Sequence, residues 1–259
     1  MKLTFLGTGT SFGVPQLGCN CAVCRSPDPR DRRTRVGAVV ETNAGTRILI
    51  DTPPELRLQL VAAGIDRVDA VLFTHDHADH THGIDDIRAI TVRRSGPLPI
   101  YAAEETLAGL RHKFNYIFDD SVRVLPGTSK PEGKTHAITA GVPFTVGDIE
   151  VIPVAVPHGA VTVLGFRIGP LAYVTDAKVV PDDALARLKG ASVLVINALF
   201  RTEHPTHLSI PEAVRVANAI GAERTYLTHL THDNFHADLE AELPRGIAPA
   251  FDGLTVRID

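Results

Sequence analysis

Hydrophobic and polar positions alternate along the chain in short segments that predict strands and helices in turn. Apolar runs typical of strands lie at residues 3–7, 36–41, 47–51, 68–73, 98–101, 192–196 and 224–228. Helical periodicity occurs at 55–64, 104–114, 182–189 and 210–221. The first of these helices is predicted to place Leu56, Leu60 and Val61 on one apolar face and to end at Gly64.

Two further segments, 144–156 and 161–176, predict hairpins that turn at Gly147-Asp148 and Gly169-Pro170. Hairpins mixed with crossover helices indicate an α/β protein with mixed sheets covered by helices. Residues 115–136 are the least regular stretch and predict a loop or a lid. Because no linker interrupts the pattern, we expect one domain over residues 1–259.

Composition and charge narrow the class of protein. The 259 residues are 44% hydrophobic and 22% charged, which suffices for a packed core. The formal net charge of −4 argues against a broad nucleic-acid interface. No apolar run approaches the roughly 18 residues of a membrane span, and the N-terminal segment lacks the apolar block of a secretory signal. These features predict a cytoplasmic protein.

A dense histidine cluster follows the predicted strand 68–73. It reads Thr74-His75-Asp76-His77-Ala78-Asp79-His80. Imidazole and carboxylate groups together suit divalent zinc, manganese or iron. On a loop that leaves a strand, this spacing offers His75 with His77 to one ion and Asp79 with His80 to a second. The alternative interpretation is a polar, solvated loop.

The H-x-H-x-D-H spacing resembles the signature of the metallo-β-lactamase superfamily, and the resemblance extends over nearly the whole chain. It implies a four-layer αββα sandwich, with two mixed β-sheets flanked by helices and a metal site on one loop edge. The remaining ligands of that family would be His158, Asp176 and His229, each of which follows a predicted strand.

The resemblance implies two active-site ions, zinc or manganese, held by two sets of three ligands and one bridging residue. The sets are His75, His77 and His158 for the first ion, Asp79, His80 and His229 for the second, and Asp176 between them. A water between two cations loses its proton easily, which gives a hydroxide nucleophile at neutral pH. Asp51, which closes the segment 47–51, would orient a ligand histidine, cap the helix at 55–64, or do both.

The three cysteines, Cys19, Cys21 and Cys24, fall within six residues, which is a poor basis for disulfides. The segment FLGTGTSFGVPQLGCNCAVC resembles the phosphoribosyl cyclic phosphodiesterases associated with carbon–phosphorus lyase. The resemblance implies one structural zinc held by these cysteines and His232. Such a closed site would join the N-terminal loop to the C-terminal region. The alternative is a group of free cysteines.

The segment 203–209, EHPTHLS, resembles the additional histidine motif of the same branch. It makes His207 the candidate general acid that protonates the leaving alkoxide, since the pKa of histidine lies near working pH. A surface histidine is the alternative, and His204 is interpreted as a loop residue. The stretch 25–35 holds five arginines and is interpreted as a solvated charged loop or as a source of one phosphate ligand. Arg35 is nearest the next strand, but the sequence does not identify which arginine would bind phosphate.

The sequence therefore predicts a metal-dependent phosphodiesterase for a small cyclic or nucleotide-like phosphodiester, with His207 and Asp79 as catalytic residues. One alternative is a tRNA 3′-processing endoribonuclease, although the extended basic arm typical of that enzyme is not seen here. Another is a metal-stapled binding protein without catalysis. The resemblance also suggests a homodimer, and no membrane partner is expected.

Overall fold

Fourteen strands form two mixed seven-stranded sheets in residues 1–119 and 121–259, the ranges that the computed structural model describes. The first sheet contains β1 (Lys2–Gly7), β2 (Gly37–Glu41), β3 (Arg47–Ile50), β4 (Ala70–Leu72), β5 (Leu98–Ala102), β6 (Gly133–Ala137) and β14 (Thr255–Arg257). The second contains β7 (Phe144–Val146), β8 (Ile149–His158), β9 (Val161–Ile168), β10 (Leu171–Val174), β11 (Val193–Asn197), β12 (Arg224–Thr228) and β13 (Ile247–Pro249).

Each sheet is antiparallel on one side and parallel on the other. The first has the order β14-β1-β2-β3-β4-β5-β6, and its strands from β3 to β6 are parallel. The second has the order β13-β12-β11-β10-β9-β8-β7, and its strands from β10 to β13 are parallel. Because the carboxyl ends of parallel strands meet at one edge, the segments after β3, β4, β10 and β12 are brought to sheet edges where side chains can converge.

Helices cover the outer faces of both sheets. They are α1 (Leu56–Ala62), α2 (Ala78–Thr81), α3 (Arg88–Arg94), α4 (Glu104–Lys113), α5 (Asn115–Phe118), α6 (Asp182–Leu188), α7 (Ile210–Ile220) and α8 (His236–Glu242). Within the described ranges, no helix combines the length and apolarity that crossing a bilayer requires.

Three hydrophobic clusters separate these four layers. Phe5 and Phe166 belong to the cluster between the sheets. Phe73 packs with Leu107 of α4 on the outside of the first sheet, and Ile196 belongs to the cluster outside the second. The predicted αββα sandwich is therefore confirmed.

Every predicted strand and helix is present, with ends that differ by no more than two residues, and both hairpins turn where predicted. The short elements α2, α3, α8, β13 and β14 were not predicted. The predicted loop at 115–136 is wrong at both ends. Short-range hydrogen bonds form α5 at its start, and pairing with β5 forms β6 at its end. Residue 120 of that prediction lies outside the described residues.

The predicted apolar face of α1 is partly wrong. Leu56 and Leu60 are buried, but Val61 is 71% exposed. Gln59 occupies the buried position, because its amide nitrogen donates hydrogen bonds to the Thr34 hydroxyl at 2.7 Å and the Arg35 carbonyl at 2.9 Å. A polar side chain whose amide nitrogen is hydrogen-bonded therefore takes the place of an apolar one at this contact, while its Oε1 atom has no partner among the described residues.

Candidate metal centre

The predicted site residues meet where several strands end. The segment Thr74 to His80 follows β4 and leads into α2, and His158 is the last residue of β8. Asp51, Asp176 and His229 follow β3, β10 and β12, and have φ angles of 61°, 57° and 58°. Left-handed backbone costs free energy in residues other than glycine. Three such residues at one site indicate that their side-chain directions are held by the surrounding fold.

The Asp176 carboxylate lies at the centre of this cluster. Its Oδ2 is 3.4 Å from the Nε2 atom of His80, 3.8 Å from that of His75 and 3.9 Å from that of His158. Its Oδ1 is 3.5 Å from Nε2 of His229. One carboxylate therefore faces four imidazoles from three segments of the chain, an arrangement suited to a bridging ligand.

Around Asp176, the ligand atoms divide into groups whose members lie within 4.8 Å of one another. One group joins His75, His77 and His158, and another joins Asp79, His80 and His229. These are the same two triplets that the family resemblance implied. His207 lies in a further group with His158 and Asp176, so it stands at the edge of the same cluster.

The buried nitrogens of the cluster fit a cation. The Nε2 atoms of His75, His80, His207 and His229, together with Nδ1 of His229, are buried and have no hydrogen-bond partner among the described residues. Leaving buried polar atoms unpaired costs about 1–3 kcal/mol each. Imidazole nitrogens with a nearby carboxylate form a ligand set for zinc or manganese, so the residues present fit divalent ions.

Burial and neighbouring charge set the protonation of these groups. Burial lowers the pKa of His75 well below its usual value, which favours the neutral imidazole that binds metals. Burial also opposes the charged form of His80, but the Asp176 and Asp51 carboxylates raise its pKa well above the usual value. Despite burial, His229 and His80 lower the pKa of Asp176 well below its ordinary range, so Asp176 is ionised.

Asp51 and Thr74 orient the rings of His80 and His75 through hydrogen bonds with their Nδ1 atoms. The Asp51 carboxylate lies 2.7 Å from Nδ1 of His80, and it accepts hydrogen bonds from the Thr74 backbone N–H and hydroxyl, both at 2.8 Å. The Thr74 hydroxyl also lies 3.0 Å from Nδ1 of His75. Asp51 therefore contacts a predicted ligand histidine. Its carboxylate does not cap α1, whose N-cap residue is Glu55.

Thr206 was not singled out by the sequence, but it contacts two of the predicted histidines. Nδ1 of His158 donates to the Thr206 carbonyl at 2.9 Å, and the Thr206 hydroxyl lies 2.8 Å from Nδ1 of His207. The Nε2 atom of His207 is thereby turned towards Asp176 Oδ2, at 3.4 Å. His204 remains in the loop, with Nδ1 3.2 Å from the same hydroxyl.

The three cysteines converge on His232, which lies three residues beyond His229 in the sequence. Their sulfurs lie 3.3, 3.4 and 3.5 Å from Nδ1 of His232, in the order Cys19, Cys21 and Cys24. Hydrogen bonds, chiefly from the Cys24 backbone N–H and then from His232, lower the pKa of Cys21 to about 6. Burial raises the pKa of Cys24 to about 11. Because the ligand atoms of all four residues lie within 4.8 Å of one another, the group is a second candidate metal site.

Two arginines of the stretch 25–35 have protein partners in the structure. The Arg35 guanidinium contacts the Ser11 carbonyl and forms an ion pair with Glu55, so these partners already occupy it. Arg33, which the sequence did not distinguish, is 3% exposed and donates to the Thr8 hydroxyl and the Ala250 carbonyl. A buried, hydrogen-bonded guanidinium of this kind has a structural role.

Comparisons with known proteins show the family and the fold. A family model described as "Beta-lactamase superfamily domain" matches residues 46–230. A crystal structure described as a new diphosphatase from the PhnP family superposes on this chain with a TM-score of 0.91 and is 39% identical to it. The superposition covers 100% of this chain and 98% of that one. Zn²⁺-bound PqqB from Methylobacterium extorquens has a TM-score of 0.77 over all of both chains, and at 22% identity this likeness concerns the fold.

A curated relative from Porphyromonas gingivalis is named octanoyltransferase. It is 42% identical over 264 residues, an alignment that includes 100% of this chain and 52% of the relative. This chain therefore spans about half the length of that relative.

Proposed function

This chain belongs to the β-lactamase superfamily, in the PhnP branch, and from that premise we propose that it is a metal-dependent phosphodiesterase for a small cyclic or nucleotide-like phosphodiester. The observation that carries the proposal is the position of His207. Its Nε2 lies 3.4 Å from Asp176 and has no hydrogen-bond partner among the described residues, although the two ligand triplets are complete without it. A histidine additional to these triplets is available to donate a proton to a leaving group.

The ligand triplets, Asp176 and His207 would have different roles in the reaction. The two triplets would hold two divalent ions, and Asp176 would bridge them. The ions would supply Lewis acidity and lower the pKa of a nucleophilic water. His207 would donate its Nε2 proton to the leaving oxygen, with its ring held by the Thr206 hydroxyl at 2.8 Å. The relative described as a diphosphatase supports chemistry at phosphorus, because it is similar to this chain over its full length.

The cysteine group would hold a third ion with a different purpose. Four protein ligands close a zinc site to substrate, which is typical of structural zinc. The N-terminal loop is also joined to the C-terminal region by a β-bridge between Gly9 and Leu230, next to His229. A zinc ion on Cys19, Cys21, Cys24 and His232 would therefore fix a loop that borders the cluster.

Acyl transfer is a weaker match to this site. The octanoyltransferase name belongs to a relative of which this chain spans about half. All three cysteines of the chain lie in the Cys–His232 group, which leaves the Asp176 cluster without a thiol nucleophile. p-Nitrophenyl octanoate is therefore a suitable control substrate, and we expect its turnover to be slow beside that of phosphodiesters.

The test compares two leaving groups in His207→Ala. An alkoxide needs a proton as it leaves, whereas p-nitrophenolate needs little help. With manganese or zinc bound, the variant should lose about 10²–10⁴-fold on a 2′,3′-cyclic nucleotide and much less on bis-p-nitrophenyl phosphate. His112→Ala, which removes an exposed histidine of α4, is the matched control.

Metal content of both variants should be measured alongside turnover. Equal losses on the two substrates, with metal retained, would contradict a general-acid role for His207. Absence of phosphodiester turnover in the fully loaded wild-type protein would contradict the proposed function as a whole.

A further inference from the structure

Thr206 contacts three histidines through its backbone and its hydroxyl. Its carbonyl accepts from Nδ1 of His158 at 2.9 Å, and its hydroxyl lies 2.8 Å from Nδ1 of His207. Its backbone N–H donates to Nδ1 of His204 at 3.4 Å, and the hydroxyl lies 3.2 Å from the same nitrogen. One hydroxyl therefore stands between two imidazole rings, and the direction of its single proton decides which ring it serves as a donor.

The contacts of His204 fix the place of its own proton. A backbone N–H can only donate, so Nδ1 of His204 accepts and carries no proton. Burial, followed by the charge of Lys178, lowers the pKa of His204, which favours a neutral ring. A neutral imidazole whose Nδ1 accepts has its proton on Nε2. His204 therefore presents an acceptor to Thr206.

The Thr206 side chain is held in the rotamer that these contacts need. Its methyl carbon Cγ2 lies against Gly159, in the turn between β8 and β9, where a Cβ added to the glycine would come within 2.9 Å of it. The methyl group and the hydroxyl leave the Cβ of Thr206 in different directions. Packing of the methyl group on Gly159 therefore directs the hydroxyl towards the two imidazoles.

The direction of the hydroxyl proton matters for the chemistry of His207. If Thr206 donates to His204, its oxygen accepts from Nδ1 of His207, and His207 keeps a proton on Nδ1. When the Nε2–H bond breaks and the leaving oxygen gains the proton, the electron pair stays on Nε2 and the ring ends as a neutral imidazole. A ring without the Nδ1 proton would instead end as an imidazolate, a much less stable product.

We infer that His204 is a positioning residue for the proposed general acid: it holds the hydroxyl proton of Thr206, so that the hydroxyl oxygen holds the Nδ1 proton of His207. The inference rests on the proposed function and extends it to a histidine outside both ligand triplets. Because His204 acts through the Thr206 hydroxyl, its loss should matter only where proton donation limits turnover and only while that hydroxyl is present.

His204→Phe tests the inference, because it keeps an aromatic ring beside Phe200, 5.6 Å away between ring centroids, and removes the acceptor. In zinc-loaded protein, kcat for a 2′,3′-cyclic nucleotide should fall about three- to fivefold, as for the loss of one hydrogen bond. Turnover of bis-p-nitrophenyl phosphate should change less than about twofold, since its leaving group needs little help. His204→Asn should restore the cyclic nucleotide rate, because its Oδ1 can accept in place of Nδ1.

His112→Phe, at an exposed histidine of α4, is the matched control and should behave as wild type on both substrates. A His204→Phe variant that turns over the cyclic nucleotide like wild type would overturn the inference. An equal loss on both substrates, or no recovery in His204→Asn, would overturn it as well, because the loss would then come from packing of the loop.

A double variant tests whether His204 acts through Thr206. Adding His204→Phe to Thr206→Val should cause no further loss on the cyclic nucleotide, because the hydroxyl that connects the two histidines is already gone. Losses that multiply would overturn the inference, since His204 would then act by another route.

Failure of the proposed function would look different, because metal-loaded wild-type protein would then hydrolyse neither substrate. The hydrogen bonds can still be observed by NMR of zinc-loaded protein labelled with ¹⁵N-histidine, with signals assigned from His204→Phe and His207→Ala. An Nε2–H tautomer of His204 together with a proton on Nδ1 of His207 would support the inference. A proton on Nδ1 of His204, or an Nδ1 of His207 without one, would overturn it.

Discussion

Replacing His236 with glutamine should make the stability of the protein less sensitive to acid. His236 is 1% exposed, and its Nδ1 lies 3.3 Å from Nη2 of Arg33. Because a guanidinium only donates hydrogen bonds, Nδ1 must accept, and the imidazole is neutral. Burial, followed by the charges of Arg33 and Arg30, lowers the pKa of His236 to about 4, although Glu240 and Asp28 oppose the shift.

The sign of the effect follows from proton binding in the two states. A histidine in the unfolded chain has a pKa near 6.5. Between pH 6.5 and about 4, His236 is therefore protonated in the unfolded chain and neutral in the folded protein. Stability is therefore fully present above pH 6.5 and is lost as the pH falls through this window. The loss from pH 7.5 to pH 5.0 amounts to about 2 kcal/mol for this residue.

The assay is urea unfolding followed by circular dichroism at pH 7.5 and pH 5.0, because the chain has no tryptophan. Wild-type protein should lose about 2 kcal/mol more than His236→Gln over this interval, and metal release, common to both, cancels in the comparison. His112→Gln, at an exposed histidine, should behave as wild type. If His236→Gln loses as much stability as wild type, the buried Arg33 contact does not control the titration.

Three further substitutions test the metal sites. Asp79→Ala should reduce phosphodiester turnover at least ~100-fold and lower the bound metal while the circular dichroism spectrum is kept; unchanged metal content would contradict its place in the second triplet. Cys21→Ser should cost about 2 kcal/mol of stability and lower Tm by about 4–8 °C, with little loss of turnover per folded molecule; melting like wild type would refute the structural zinc. Thr206→Val should slow alkoxide-releasing substrates about fivefold, because His207 loses its hydroxyl partner while His158 keeps the carbonyl, and Thr206→Ser should restore them; no recovery in the serine variant would assign the loss to packing.

Much of the candidate site was predictable because its side chains follow strands in a recognisable spacing. The cluster after β4 places four potential ligands in six residues, and His158 and His229 each end a run of strand-forming residues. Residue type and position together therefore carried the information. The two ligand triplets remain proposals, although the structure brings the members of each within 4.8 Å.

The contacts that support the site were not predictable from the sequence, because they use backbone carbonyls and residues that are distant in the chain. His158 is held by the carbonyl of Thr206, an atom that every residue possesses, so no sequence pattern marks it. The burial of Arg33 depends on a carbonyl of Ala250, more than two hundred residues away in the chain. Helical periodicity likewise does not distinguish Gln59 from Val61 as the buried residue of α1, because the hydrogen bonds of Gln59 come from another segment.

The geometry of the candidate site opposes folding in the absence of cations. Three side chains of the site, from Asp51, Asp176 and His229, stand on left-handed backbone, at a cost of order 1–3 kcal/mol each. Five buried ring nitrogens lack hydrogen-bond partners within the described ranges, which adds a similar penalty for each. The packed core between the sheets must offset these costs, since it fixes the strands that precede the site residues. Cations bound to the unpaired Nε2 atoms of His75, His80 and His229 would remove part of the penalty, so we expect metal binding to stabilise the fold at this edge.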